Sequence, residues 1–170
     1  TPSPTPPVAV VRDLVYESAD PRLPDGLLDV YLPPTDGPHP VAVMVHAQPG
    51  LYTKEMLEPL AGKLAAEGWT VFVPGWNAGG PEVTWSERLQ AALRQVACSV
   101  AFARTHAAEY GGDPSTFVLF GDGAGANAAA VLAFNRPAPS DGCPGGASLG
   151  PLPSLITTGG DWLLLDAQWD

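Results

Sequence analysis

Basic residues are scarce in this chain. Two lysines, Lys54 and Lys63, and six scattered arginines face eighteen acidic side chains over 170 residues, for a formal charge of −10. Such a surface repels phosphate backbones, which excludes nucleic acid as a partner. Long apolar runs are also missing: none reaches the ~20 residues that a membrane-spanning helix needs. Histidine occurs only at positions 39, 46 and 106, with no i, i+4 pair and no clustered cysteine or carboxylate partner, so no metal site is expected and no cofactor is implied. The two cysteines, Cys98 and Cys143, would close a loop of 45 residues in an oxidising compartment. The chain-entropy model values that closure at about 4 kcal/mol; the alternative is two buried thiols.

Proline and glycine are plentiful, at twenty and nineteen, beside 45% apolar and 15% charged residues. This describes a globular chain with many loops. The first residues, "TPSPTPPVAV", lack a methionine, a basic segment and an apolar segment, which suggests a processed or trimmed start. Residues 1–8 are read as a Pro/Thr-rich disordered spacer and 9–170 as a single domain. Such a spacer often follows a removed export signal, so a secreted or extracytoplasmic location is expected.

"VAVVRDLVYES" and "LLDVYLPP" alternate apolar and polar residues and are separated by the turn-rich "ADPRLPDG", the pattern of a β-hairpin. "HPVAVMVHA" and "WTVFVPGW" are short apolar runs suited to strands buried on both faces. Between them Met56, Leu57, Leu60, Ala61, Leu64 and Ala65 recur at helical spacing, with Thr53 as N-cap and Gly68 as C-terminal stop. Thr84-Trp85-Ser86-Glu87 has the spacing of a capping box. It opens a long helix with an apolar stripe of Leu89, Leu93, Val96, Ala97, Val100 and Ala101. "STFVLF" is the next strand, Ala124 to Phe134 the next helix, and "SLITT" one more strand. The order β-β-β-α-β-α-β-α-β predicts an α/β fold: a mostly parallel sheet with helices on both faces.

The stretch "FVLFGDGAGANAAAVLAF" joins a strand to a helix through Gly121-Asp122-Gly123-Ala124-Gly125. So sharp a turn needs small residues at 121 and 125, so that the two elements can approach, and it places residue 123 in strained backbone above the sheet. The helix N-terminus behind it offers N–H groups and a positive dipole end to a developing oxyanion. "LLDVYLPP" with "HPVAVMVHAQPG", then "LAAEGWTVFVPGW", then "EYGGDPSTFVLFGDGAG" and the helix after it resemble the N-terminal two-thirds of an α/β-hydrolase of the carboxylesterase and lipase type. The likeness runs from about Val11 to Phe134.

The resemblance implies a serine in the middle of a G-x-S-x-G turn, followed along the chain by an acid and then a histidine. Here Gly123 stands at that position, and all three histidines precede it. Asp161, Asp166 and Asp170 are then surface charges. The family carries an H-G-G type oxyanion loop after the third strand, whereas this chain has His46-Ala47-Gln48-Pro49-Gly50, with Pro49 lacking an N–H. His46 is read as a structural residue bonded to its own loop, His106 as a surface or packing residue, and Asp122 as a cap on the following helix.

The resemblance thus implies an esterase homologue that is catalytically inactive and at most holds a small ester-like or apolar ligand. The candidate oxyanion or ligand residues are His46, Ala47, Gln48, Asp122, Gly123, Ala124 and Trp76. Two alternatives stand beside it. One is a fragment or variant of a serine carboxylic-ester hydrolase. The other is a non-enzymatic interaction module, with homo-oligomers formed through an exposed sheet edge.

Overall fold

The computed structural model describes residues 7–17, 26–47, 52–77, 84–135, 143 and 154–158. The strands are β1 (Ala9–Val15), β2 (Leu27–Leu32), β3 (His39–Val45), β4 (Thr70–Pro74), β5 (Gly112–Asp122) and β6 (Ser154–Thr158), and the helices are α1 (Glu58–Ala66), α2 (Trp85–His106) and α3 (Ala124–Asn135). All six strands form one sheet in the order β1-β2-β4-β3-β5-β6. β1, β2 and β4 pair antiparallel, and β4, β3, β5 and β6 run parallel. The expected hairpin and mostly parallel sheet are both present. The turn between β1 and β2, residues 1–6 of the expected spacer at 1–8, and most of 136–170 lie outside the described residues.

Strand alternation builds two cores. Val41, Val43 and Val45 of β3, Phe72 of β4, and Phe117 and Leu119 of β5 face α2 and α3, meeting Val96, Val100, Ala101, Ala129 and Leu132. Ala42, Met44, Val71 and Val73 face the other way, towards Leu57, Ala61 and Ala65 on the α1 side. With apolar residues on both pleats, β3 and β4 read as continuous hydrophobic runs because both faces are covered. Alanine lines much of α2 and α3, which lets the helices sit close to the sheet.

Two of the expected helix ends, the capping box at Thr84 and the stop at Gly68, are present. Thr84 Oγ1 accepts from Glu87 N, and Glu87 Oε2 accepts from Thr84 N at 2.9 Å, a complete capping box. Gly68, at φ +92°, ends α1: its N–H donates to Ala65 O, and Trp69 N donates to Leu64 O. That pair of bonds is a Schellman motif.

The start of the α1 region differs from expectation. Thr53 makes no side-chain cap bond; residues Lys54–Leu57 form a 3-10 turn, and α1 begins at Glu58 with Pro59 in its first turn. Three residues per turn advance the chain out of phase with the helix that follows. Met56 and Leu60 are therefore 59% and 40% exposed, while Leu57, Ala61 and Ala65 carry the buried stripe. β5 also starts earlier than "STFVLF", at Gly112, because Gly112 pairs with His39 at the foot of β3.

Candidate functional site

The parallel strands β3, β4 and β5 end together, and the elbow lies at that edge. Gly121 pairs with Val45, Asp122 ends β5, and Gly123 takes φ +53° before α3 begins at Ala124. The glycines make this turn possible. A Cβ at Gly121 would lie 2.5 Å from Ala126 Cα, and one at Gly125 would lie 2.3 Å from His46 O and 2.4 Å from Val45 O. Those contacts are with backbone, which has no room to yield. The first bonds of α3, Ala126 N to Gly123 O at 3.0 Å and Asn127 N to Gly123 O at 3.4 Å, leave the amides before Ala126 outside the helical ladder at its positive end.

The loop after β3 packs directly on this turn. His46 is 1% exposed; its Nδ1 lies 2.7 Å from Ala47 O, and its Nε2 accepts from Trp76 N at 3.4 Å. A neutral imidazole with its proton on Nδ1 satisfies both partners. Trp76 Nε1 donates to His46 O at 3.1 Å, and the two rings stack at 5.6 Å between centroids. Ala47 Cβ then stands against Gly123, 3.2 Å from where a Cβ would be at that position. The structure thus joins Trp76, His46, Ala47 and Gly123 in one series of contacts, with Asp122 and Ala124, the half-buried chain neighbours of Gly123, on either side of it. Gln48, Pro49 and Gly50 fall outside the described residues, as do Asp161, Asp166, Asp170, Trp162 and Trp169.

The other two histidines are placed away from the elbow. His39 opens β3, and its Nε2 lies 2.9 Å from Thr35 O. His106, in the last turn of α2, stacks on Phe102 at 4.3 Å and has Nδ1 2.9 Å from Glu109 Oε1. No group of His, Cys, Asp or Glu that could hold a metal occurs among the described residues. Cys98, buried in α2, is bonded to Cys143, with Cα atoms 5.2 Å apart.

Two supports of the site were not foreseen from the sequence. Gln95 of α2 is fully buried, and its Oε1 accepts from Asn77 N at 2.7 Å, fixing the chain just after Trp76; its Nε2 finds no partner among the described residues. The available signal was a lone amide between Leu93 and Val96 on an otherwise apolar stripe. The second support is an ion cluster beside the chain that leaves the β3 loop. Lys54 Nζ reaches Asp13 Oδ1 and Asp29 Oδ1, both at 2.5 Å, while Arg12 bridges Asp29 at 3.0 Å and Glu58 at 2.8 Å. A bulge in β1 permits this, with Asp13 at φ +57° donating its N–H to Asp29 Oδ1 at 3.0 Å. Burial opposes the charge on Lys54, but its hydrogen bonds to Asp13 and Asp29 outweigh that and hold its pKa above the ordinary lysine value. The Lys54 hydrogen bond holds the Asp13 carboxyl below its ordinary value.

Compared with known proteins, residues 28–140 match the BD-FAE family model. No curated protein matches the chain. Among solved structures, esterase B from Lactobacillus rhamnosis superposes with a TM-score of 0.63 at 23% identity, covering 76% of this chain and 40% of that one. Butyrate-bound esterase 2 from the planctomycete Thermogutta terrifontis gives a TM-score of 0.65 at 20% identity, over 90% and 53%. A truncated carbohydrate esterase from gut microbiota gives 0.64 at 21%, over 89% and 54%. At these identities the structural likeness establishes the fold. The chain spans about half or less of the length of these esterases.

Proposed function

Because the chain belongs to the BD-FAE family, an α/β-hydrolase-type esterase domain, we propose that it keeps the esterase scaffold without the chemistry. In this reading it holds a small ester-like or apolar ligand at the edge where β3, β4 and β5 end, and does not cleave it. One observation carries the reading: the elbow has the backbone of a nucleophile turn, with φ +53°, and glycine at its centre. Acyl transfer needs an attacking atom and a base to take its proton. Gly123 supplies no attacking atom, and His46 has both ring nitrogens engaged by Ala47 O and Trp76 N. What remains is the positive end of α3, suited to a carbonyl or carboxylate oxygen but unable to break a bond alone.

Hydrolysis of a short-chain nitrophenyl ester tests this. No turnover above the buffer rate is expected, and Gly123→Ser alone is expected to add little, since no imidazole follows the elbow in this sequence. Turnover that disappears on changing Asp122 or His46 would overturn the reading. Binding is tested separately by thermal shift with butyrate, because a ligand that prefers the folded state raises the Tm.

A second reading, a fragment or variant of a serine ester hydrolase, is supported by the shared length with longer esterases and requires the acid and base on another segment. A third, an interaction module, is supported by the exposure of Ile156 on β6 and Phe134 on α3, at 50% and 81%. We further propose one domain over 9–170 after a spacer at 1–8, and an extracytoplasmic location, which the Cys98–Cys143 bond supports.

A further inference from the structure

The contact between Ala47 and Gly123 has no role in the scheme above, and its surroundings decide what it means. A side chain at 123 would begin 3.2 Å from Ala47 Cβ and 3.7 Å from Ala47 Cα. A separation that short is tolerated only if one partner moves. Gly123 cannot retreat, since its carbonyl anchors the first bonds of α3 and its neighbour Gly125 lies against the carbonyls of Val45 and His46. Ala47 is restrained as well. Its own carbonyl is held by His46 Nδ1, and His46 is buried and fixed twice to Trp76.

We propose that Ala47 and Gly123 form a small-for-large exchange: the methyl group of Ala47 crowds the place where a side chain at the elbow would begin. In the resembled H-G-G pattern a glycine follows the histidine and a serine stands at the turn; here the side chain lies on the loop and the glycine at the turn. Ala47 packs against the elbow, and a side chain returns to position 123 at a steric cost that loss of the methyl at position 47 relieves. Restoring serine alone therefore meets a steric cost as well as the want of a base. The inference rests on reading Gly123 as an elbow without a nucleophile, but it concerns packing and is tested without any ester.

A thermal double-mutant cycle with Gly123→Ala and Ala47→Gly reads it. Gly123→Ala is expected to lower the Tm by roughly 5 °C or more, from overpacking added to the left-handed backbone. Ala47→Gly in that background is expected to restore part of the loss, although in the parent it lowers the Tm slightly. Additive shifts would overturn the exchange. If Gly123→Ala does not fold, the parent protein decides: with methyl-labelled alanine, an NOE between the Ala47 methyl and a Gly123 Hα supports the contact, and its absence overturns it. Ester turnover with a coupled cycle would sink the proposed function and leave this inference standing; no turnover with an additive cycle would do the reverse.

Discussion

Gly125 and Gly62 are both helix glycines, and their surroundings give them opposite predictions. A Cβ at Gly125 meets the carbonyl oxygens of His46 and Val45 at 2.3 and 2.4 Å, whereas one at Gly62 in α1 meets nothing within 4 Å. Gly125→Ala is expected to cost more than ~3 kcal/mol, because the backbone it strikes belongs to the central strand. Gly62→Ala is expected to gain roughly 0.5–1 kcal/mol from helix propensity. Urea titrations of both variants check the pair, and equal effects would remove the close-approach argument at the elbow.

At the same scale, Lys54 sets a pH dependence. The Asp13 carboxyl lies below its ordinary value of 3.8, so its contribution is complete above that value and is lost as pH falls through the lowered one. Lys54 lies above 10.5, so its contribution is complete below that value and is lost as pH rises through the raised one. The cluster is therefore flat through neutrality. Lys54→Met is expected to be less stable at pH 7, because it leaves the buried Asp29 with one partner fewer, and to lose less than the parent on going from pH 5 to pH 3. A steeper acid loss in the variant would show that the cluster does not hold Asp13 as described.

Among the elements, α2 has a measurable start. Thr84→Ala removes the acceptor for Glu87 N and the partner of the Glu87 side chain, and is expected to cost about 1 kcal/mol. Denaturation of the variant at pH 7 reads it; no loss would mean that α2 is held by packing alone. The two long runs of the chain were legible at this scale for different reasons. α2 keeps one apolar face against the sheet, so its period survives in the sequence, and the capping box marks its first residue. The region from 53 to 66 kept its period only in part, since a 3-10 turn and a lysine drawn to Asp13 and Asp29 reset the phase. An ion cluster joining residues 12, 29 and 54 leaves no local trace.

For the molecule as a whole, the Cys98–Cys143 bond joins the middle of α2 to a point 45 residues further on. Replacing both cysteines with serine is expected to lower stability by about 4 kcal/mol, most of it through the freer unfolded chain. A loss below ~1 kcal/mol in chemical denaturation would show that the unfolded chain is already constrained there. β6 is one of the two outer strands among the described residues; its Ile156 is half exposed, and Phe134 of α3 is more exposed. An unpaired edge with apolar neighbours promotes self-pairing. At micromolar concentration the chain is expected to elute as a dimer or larger, and a clean monomer without dye-binding apolar surface would count against the edge as an interaction surface.

The sequence by itself determined the alternation of strands and helices, the two-sided burial of β3 and β4, and the glycine turn after β5. Each is a local pattern repeated at the period of its element. It also determined that residue 123 has no side chain and that every histidine precedes it. Only the tertiary structure decided that Ala47 meets Gly123, that Trp76 engages His46, and that Lys54 closes onto Asp13 and Asp29. Those contacts join residues far apart in the chain or at the meeting of separate elements, where position follows from packing in three dimensions and no spacing along the sequence encodes it.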